Sequence, residues 1–192
     1  MQPIGPLMIE HRLIERLINL MAREFERIKA NIAVDPEFAF VDPVFIDTAV
    51  DFIRTYADRC HHGKEEDILF QALSEKNLSP EHRKIMEELI QEHAWAREAT
   101  ESLVKAKEGY LLEKPGALND LMESMGKLME IYPRHIEKED RHFFIPCMGY
   151  FSQAEQADLL ARMQEFDRKM IHEKYRGVVE SIERHRGCKT CH

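Results

Sequence analysis

The sequence predicts an all-α protein: an up-down four-helix bundle with an additional C-terminal helix. Three observations carry this. Apolar residues recur every three to four positions along most of the chain, and no segment shows strand-like alternation. Three breaker-rich segments, VDPEFAF, SEKNLSP and LLEKPGAL, divide the periodic stretches. Finally, His11, His61, His93 and His135 stand at mirror-image distances from those breakers, the midpoints of successive pairs falling at Pro36, Asn77 and Lys114. In helices that run up and down at ~1.5 Å per residue, positions equidistant from a turn end at the same height. The four imidazoles are therefore expected in one slice of one bundle.

The elements follow in order. Residues 7 to about 30 read as an amphipathic first helix. Two Asp-Pro pairs interrupt it, because a residue before proline is pushed out of the helical region. Asp42 then caps a second helix with Pro43 at its first position, running to about Ser74. Ser79 and Pro80 start a third helix to about Leu112, with Glu81 favourably placed on its dipole. Lys114-Pro115-Gly116 ends it. The fourth helix spans about Ala117 to Met148, with a kink expected at Pro133. Ser152 and Glu155 form a capping-box start for a fifth helix, to about His185. The tail RGCKTCH is expected to be mobile. The division that results is a bundle over residues 1–150 and, over 151–192, a helix packed on it plus the tail.

Composition narrows the function classes. At 192 residues, 44% hydrophobic and 32% charged, the chain fits one soluble domain with a real core. A formal charge of −8 argues against nucleic acid or an anionic membrane as partner. No apolar run is long enough to span a bilayer and no secretory signal is visible, so the expected address is the cytoplasm. Four cysteines in a reducing compartment are expected as free thiols.

A lone histidine on an apolar helix face is more often a satisfied core residue than a ligand. Four at matched heights are a different case, and two of them carry a carboxylate one turn on: His61 with Glu65 and His135 with Glu139. Imidazole with carboxylate suits iron, zinc or manganese, and a carboxylate has two oxygens with which to bridge two metals. Burying such carboxylates without a cation costs several kcal/mol per ion. The bland alternative is that the glutamates face solvent and the histidines are incidental. A rival register, His62 with Glu66, satisfies the same spacing.

HHGKEEDILF at 61–70 and HIEKEDRHFF at 135–144, with EHRLIERL at 10–17 and EHAWAR at 92–97, resemble the hemerythrin-like (HHE cation-binding) family over roughly residues 6 to 150. The resemblance implies a four-helix bundle around two iron ions, a non-haem, carboxylate-bridged di-iron centre. It makes His11, His61, His93 and His135 terminal ligands and Glu65 and Glu139 bridges. One departure matters. Oxygen-carrying members have a second histidine one turn along the third helix, where this chain has Arg97. His62 is the candidate fifth imidazole, as a ligand, a partner of a ligand or the rim of a channel. Asp140 is an alternative to Glu139 by analogy with the carriers, though the H-x-x-x-E form favours Glu139.

Other residues read as structural. Glu139-x-x-His142 matches one half of a ferritin-like motif, but no second half is present. His142 is expected to be structural or exposed, Glu15 near the site or on the surface, and His82, His172 and His185 solvent-facing. Leu69, Phe70, Phe143 and Phe144 are expected in the core, as a dry wall near the metals. Cys60 and Cys147 read as small buried residues. Cys188-x-x-Cys191-His192 has the form of a haem-attachment site, but without export an inert tail or a surface thiol pair is the simpler reading. The leading expectation is a protein that binds or reacts with O2, NO or peroxide at its iron pair, in sensing, storage or stress response. The alternatives are a di-iron enzyme of peroxidase, NO-reductase or iron-centre-repair type, and an interaction module docking through the fifth helix. No side chain stands out as a separate catalytic acid or base, and a homodimer is left open.

Overall fold

The computed structural model of the protein describes residues 2–35 and 39–186, with side chains through residue 170. The Cys188, Cys191 and His192 motif lies outside the described residues, as do the side chains of His172 and His185. Five long helices form the described chain: α1 (Ile4–Val34), α2 (residues 43–74), α3 (Pro80–Leu111), α4 (residues 117–147) and α5 (Gln153–Arg186). No strand occurs among the described residues.

The helix starts follow local chemistry. Asp42 accepts hydrogen bonds from the Val44 and Phe45 backbone N–H groups ahead of Pro43. Ser79 accepts from His82 N–H ahead of Pro80. Ser152 and Glu155 close a reciprocal box: the Ser152 N–H donates to Glu155 Oε2 at 2.8 Å and Glu155 N–H to Ser152 Oγ at 3.3 Å. Each cap satisfies donors that the first turn leaves open.

α2 and α4 change pitch where they matter most. α2 is π-helical over Ile53–His62 and Glu65–Phe70, and α4 over Glu139–Phe143. Widened turns of this kind occur preferentially at functional sites. In α4 the wide turn precedes Pro146, which has no N–H to donate. Around Pro133, α4 continues as one helix from Ala117 to Lys138.

The apolar interior is split in two. One cluster contains Ile4 and Leu7 of α1 with Leu69, Leu89 and Phe143. The other contains Ile14 and Ile18 of α1 with Ile53, Ala96 and Ile136. His11, Glu65, His93 and Glu139 fall between the two along their helices and are fully buried. A polar layer thus divides the core. α5 adds Leu159 and Met163 to the first cluster, and lays Phe166 against Gly63, where a Cβ would stand 2.9 Å from the ring.

Two glycines make opposite predictions. Gly116, ahead of α4, has φ 83, so Gly116→Ala is expected to lower stability by about 1 kcal/mol. Gly126 lies inside α4 with open space around its absent Cβ, so Gly126→Ala is expected to raise it by roughly 0.5–1 kcal/mol. Denaturant titration of both variants checks the signs.

Candidate metal centre

The four equidistant histidines meet in the buried layer. His11 and His61 bring their Nε2 atoms to 2.9 Å, and His93 and His135 to 3.2 Å. Glu65 lies between the pairs, Oε1 at 3.3 Å from His61 Nε2 and Oε2 at 3.3 Å from His93 Nε2. Glu139 Oε2 reaches His11 Nε2 at 3.1 Å and His135 Nε2 at 3.3 Å. Two groups of donor atoms result, each within 4.8 Å of one another and able to hold a metal ion: His11, His61, Glu65 and Glu139, and His62, Glu65, His93 and His135.

The outward nitrogens are clamped in a closed circuit. Glu10 of α1 takes His61 Nδ1 of α2 at 2.9 Å. Glu66 of α2 takes His93 of α3 at 2.7 Å, and Glu92 of α3 takes His135 of α4 at 3.0 Å. Asp140 of α4 returns to His11 of α1 at 2.8 Å. Each carboxylate is in turn held by a cation from the helix it serves. Arg97 binds Glu66 at 2.7 Å and Lys138 binds Glu92 at 2.6 Å, while Arg12 pairs with Asp140 and Lys64 with Glu10.

This circuit dictates the chemistry of the interior. A carboxylate at Nδ1 places the ring proton there and leaves an Nε2 lone pair pointing inward. Four such lone pairs converge on two carboxylates whose oxygens have no hydrogen-bond donor. Acceptors facing acceptors in an apolar core are stable only if something positive joins them. Nitrogen and oxygen donors in this mixture suit iron, zinc or manganese.

Without metal, protons take that place. Burial opposes charge on His11, but the hydrogen bond to Asp140 and the nearby Glu139 carboxylate outweigh it and raise the pKa to about 10. His93 rises to about 9 against the same opposition, through Glu65 and Glu66. Burial, then the nearby Glu139 charge, lifts Glu65 to about 7. Burial holds His61, His62 and His135 below the usual imidazole value.

Among the expected site residues, His11, His61, His62, Glu65, His93, His135 and Glu139 all lie in the buried layer. His62 stacks flat on His93, ring centroids 3.8 Å apart. Arg97, one turn after His93, faces outward to Asp58 and Glu66. Glu66 faces outward to His93 and Arg97, so the His62–Glu66 register does not form. Asp140 is likewise outside the inner set. Glu15 pairs with Arg12 on the surface, and His142 is exposed. His82, expected in solvent, instead bonds Tyr150 Oη at 2.8 Å and is partly buried, because the turn after α4 packs over the start of α3. Cys60, expected to be buried, is only partly so, with Sγ 3.4 Å from Asp167; Cys147 is buried. Phe144 stacks on His11 and Phe70 on His93. The reading of the sequence missed Glu10 and Glu92 as clamps, and the cations behind them. The signal was present: an acid precedes the ligand-type histidine on α1 and α3, and one follows the inner glutamate on α2 and α4.

A family model described as the hemerythrin HHE cation binding domain matches residues 2–145. No curated protein and no solved structure matches the chain significantly.

The protonation pattern fixes a sign. His11, His93 and Glu65 hold protons more tightly folded than unfolded, so their contribution is lost as pH rises, through about 7 for Glu65 and about 9 to 10 for the histidines. His61, His62 and His135 bind protons less tightly folded, so stability falls as pH drops below the ordinary imidazole range. The chelator-treated protein is therefore expected to be most stable near neutrality and to weaken on both sides. Denaturant midpoints measured across pH check this, and a curve rising steadily from pH 7 to 10 would contradict it.

Proposed function

The chain belongs to the hemerythrin HHE cation-binding domain family, and from that premise we propose that it is a non-haem di-iron protein which binds or reacts with a small diatomic or peroxidic molecule. One ion would be held by His11 and His61 and the other by His93 and His135, with His62 in reach of the second. Glu65 and Glu139 would be shared between them. The observation that carries this reading is the disposition of Glu65, one oxygen toward His61 and the other toward His93. That is how a carboxylate sits when two cations divide it.

Bound iron would supply the redox and ligand-binding chemistry. The chain's own residues fix the geometry and exclude water. The outer carboxylates hold each imidazole in one tautomer and one orientation. Phe70 and Phe144, fully or nearly fully buried against His93 and His11, keep the surroundings apolar. Residues 1–150 are read as the metal-binding unit and α5 as a brace on it. No helix among the described residues is long and apolar enough to cross a membrane. Free Cys60 and Cys147 fit a reducing, cytoplasmic setting.

Two measurements test the reading. Wild-type protein is expected to carry about two irons per chain with a di-iron optical spectrum, and a His61→Ala, Glu139→Ala double variant to lose most of both. Asp140→Asn and Glu92→Gln remove clamps and not ligands, so each is expected to weaken metal affinity by roughly 10–100-fold in competition with a chelator. Metal affinity unchanged in both clamp variants would contradict the assignment of the circuit.

A further inference from the structure

α2 and α4 carry the same run of residues, His61-His62-x-Lys64-Glu65-Glu66 against His135-Ile136-x-Lys138-Glu139-Asp140. In that alignment Ile136 stands where α2 has His62, and Tyr132 where it has Asp58. Ile136 packs in the apolar core, 3% exposed. An isoleucine therefore suits this position, and His62 is the departure that needs a reason.

His62 differs from the other four imidazoles of the layer. They are clamped at Nδ1, whereas neither nitrogen of His62 has a hydrogen-bond partner. Its nearest acid, Asp58, stands 3.4 Å from Nδ1 and is bonded to Arg97. Close by, the buried hydroxyl of Tyr132 also has no partner, and the two rings lie nearly parallel. Both residues are 1% exposed.

His62 and Tyr132 line one cavity of ≈ 50 Å³, together with Ile53, Ala96, Thr100 and the Asp58–Arg97 and Arg54–Glu101 pairs. The other polar groups there are already engaged. Thr100 donates to Ala96 O at 2.7 Å, Arg97 is shared by Asp58 and Glu66, and Arg54 donates to Glu101. A water needs roughly 10–15 Å³ of such space and two or more polar partners. The cavity therefore has room for a water, a diatomic molecule or peroxide. What fills it must hydrogen-bond, because buried polar groups are rarely left unmatched.

We propose that this cavity seats the small molecule which the metal centre handles: a hydrogen-bonding molecule of water to peroxide size, held between Tyr132 Oη and His62 on the Glu65, His93 and His135 side of the layer. The inference rests on reading that layer as a metal centre. Burial raises the Tyr132 phenol above its ordinary value, so the hydroxyl stays protonated and donates. The imidazole of His62 offers a nitrogen that can accept. The opposite half of the layer, with Ile136 at the matching position, offers no such pair.

The test uses the full chain, loaded with ferrous iron under anaerobic conditions and titrated with nitric oxide. Iron content is measured first; an iron-free wild type overturns the metal reading and this inference with it. Tyr132→Phe is expected to keep its iron, to bind nitric oxide about tenfold more weakly, and to shift the N–O stretching frequency. Wild-type affinity with an unshifted stretch, whatever the change in melting temperature, means that the cavity holds a structural water only, and overturns the proposal. Should Tyr132→Phe fail to fold or to load, Thr100→Ile decides. It adds bulk to the cavity while keeping the hydroxyl of Tyr132, and is expected to slow nitric oxide association about tenfold. An unchanged association rate overturns the proposal.

Discussion

Acceptors that face one another in an apolar interior dominate this molecule. Glu65 and Glu139 are fully buried, their oxygens without donors, and four imidazoles turn Nε2 toward them. A buried carboxylate lacking a partner costs several kcal/mol, so this layer exists only in company with positive charge. Metal ions supply it in the loaded protein, and protons on His11 and His93 in its absence. The two apolar clusters on either side give the layer its low dielectric and hence both its cost and its affinity.

The circuit of outer carboxylates turns that cost into geometry. Each helix contributes one acid to the imidazole of the next and one cation to the acid it receives, and the order closes from α4 back to α1. Such a ring fixes helix register, since sliding one helix by a residue breaks two clamps at once. Helical repeats alone would not aim adjacent residues at both an inner and an outer target. In α2 and α4 the π-turns spread fewer degrees over each residue than an α-turn does. His61 and His62 thus both point inward while Glu66 reaches outward.

How much of this could be read from the chain depends on range. Caps at Asp42, Ser79 and Ser152 are local, and each forms as its residue type dictates. The height of the histidines follows from turn positions and rise per residue, so His11, His61, His93 and His135 could be placed in one layer. The clamps were harder to see. Adjacent residues on a helix do not face each other, so the acid beside His11 is visible in the sequence, but that Glu10 serves His61, fifty-one residues away, is not. His82 escaped for the same reason: its partner, Tyr150, belongs to a distant turn. The π-turns have no signature in hydrophobic periodicity, and without them His62 reads as lying ~100° away from the face it shares with His61.

The fifth helix finds its physical role in the most buried link of the ring. Three of the four holding cations reach solvent: Arg12, Arg97 and Lys138 have side chains 55%, 41% and 23% exposed. Lys64 is 0% exposed. An ammonium so placed needs more than one acid, and α5 provides the second, Asp167, at 2.7 Å. Asp167, Glu10 and Cys60 come close enough together to suggest a third metal group. The Lys64 ammonium already bonds two of the three, however, and raises its own pKa in doing so despite burial. The cluster is therefore an ion-pair bolt. It runs from α5 through Lys64 and Glu10 to His61 Nδ1, so the packing of Phe166 on Gly63 and the aim of one inner imidazole are mechanically linked.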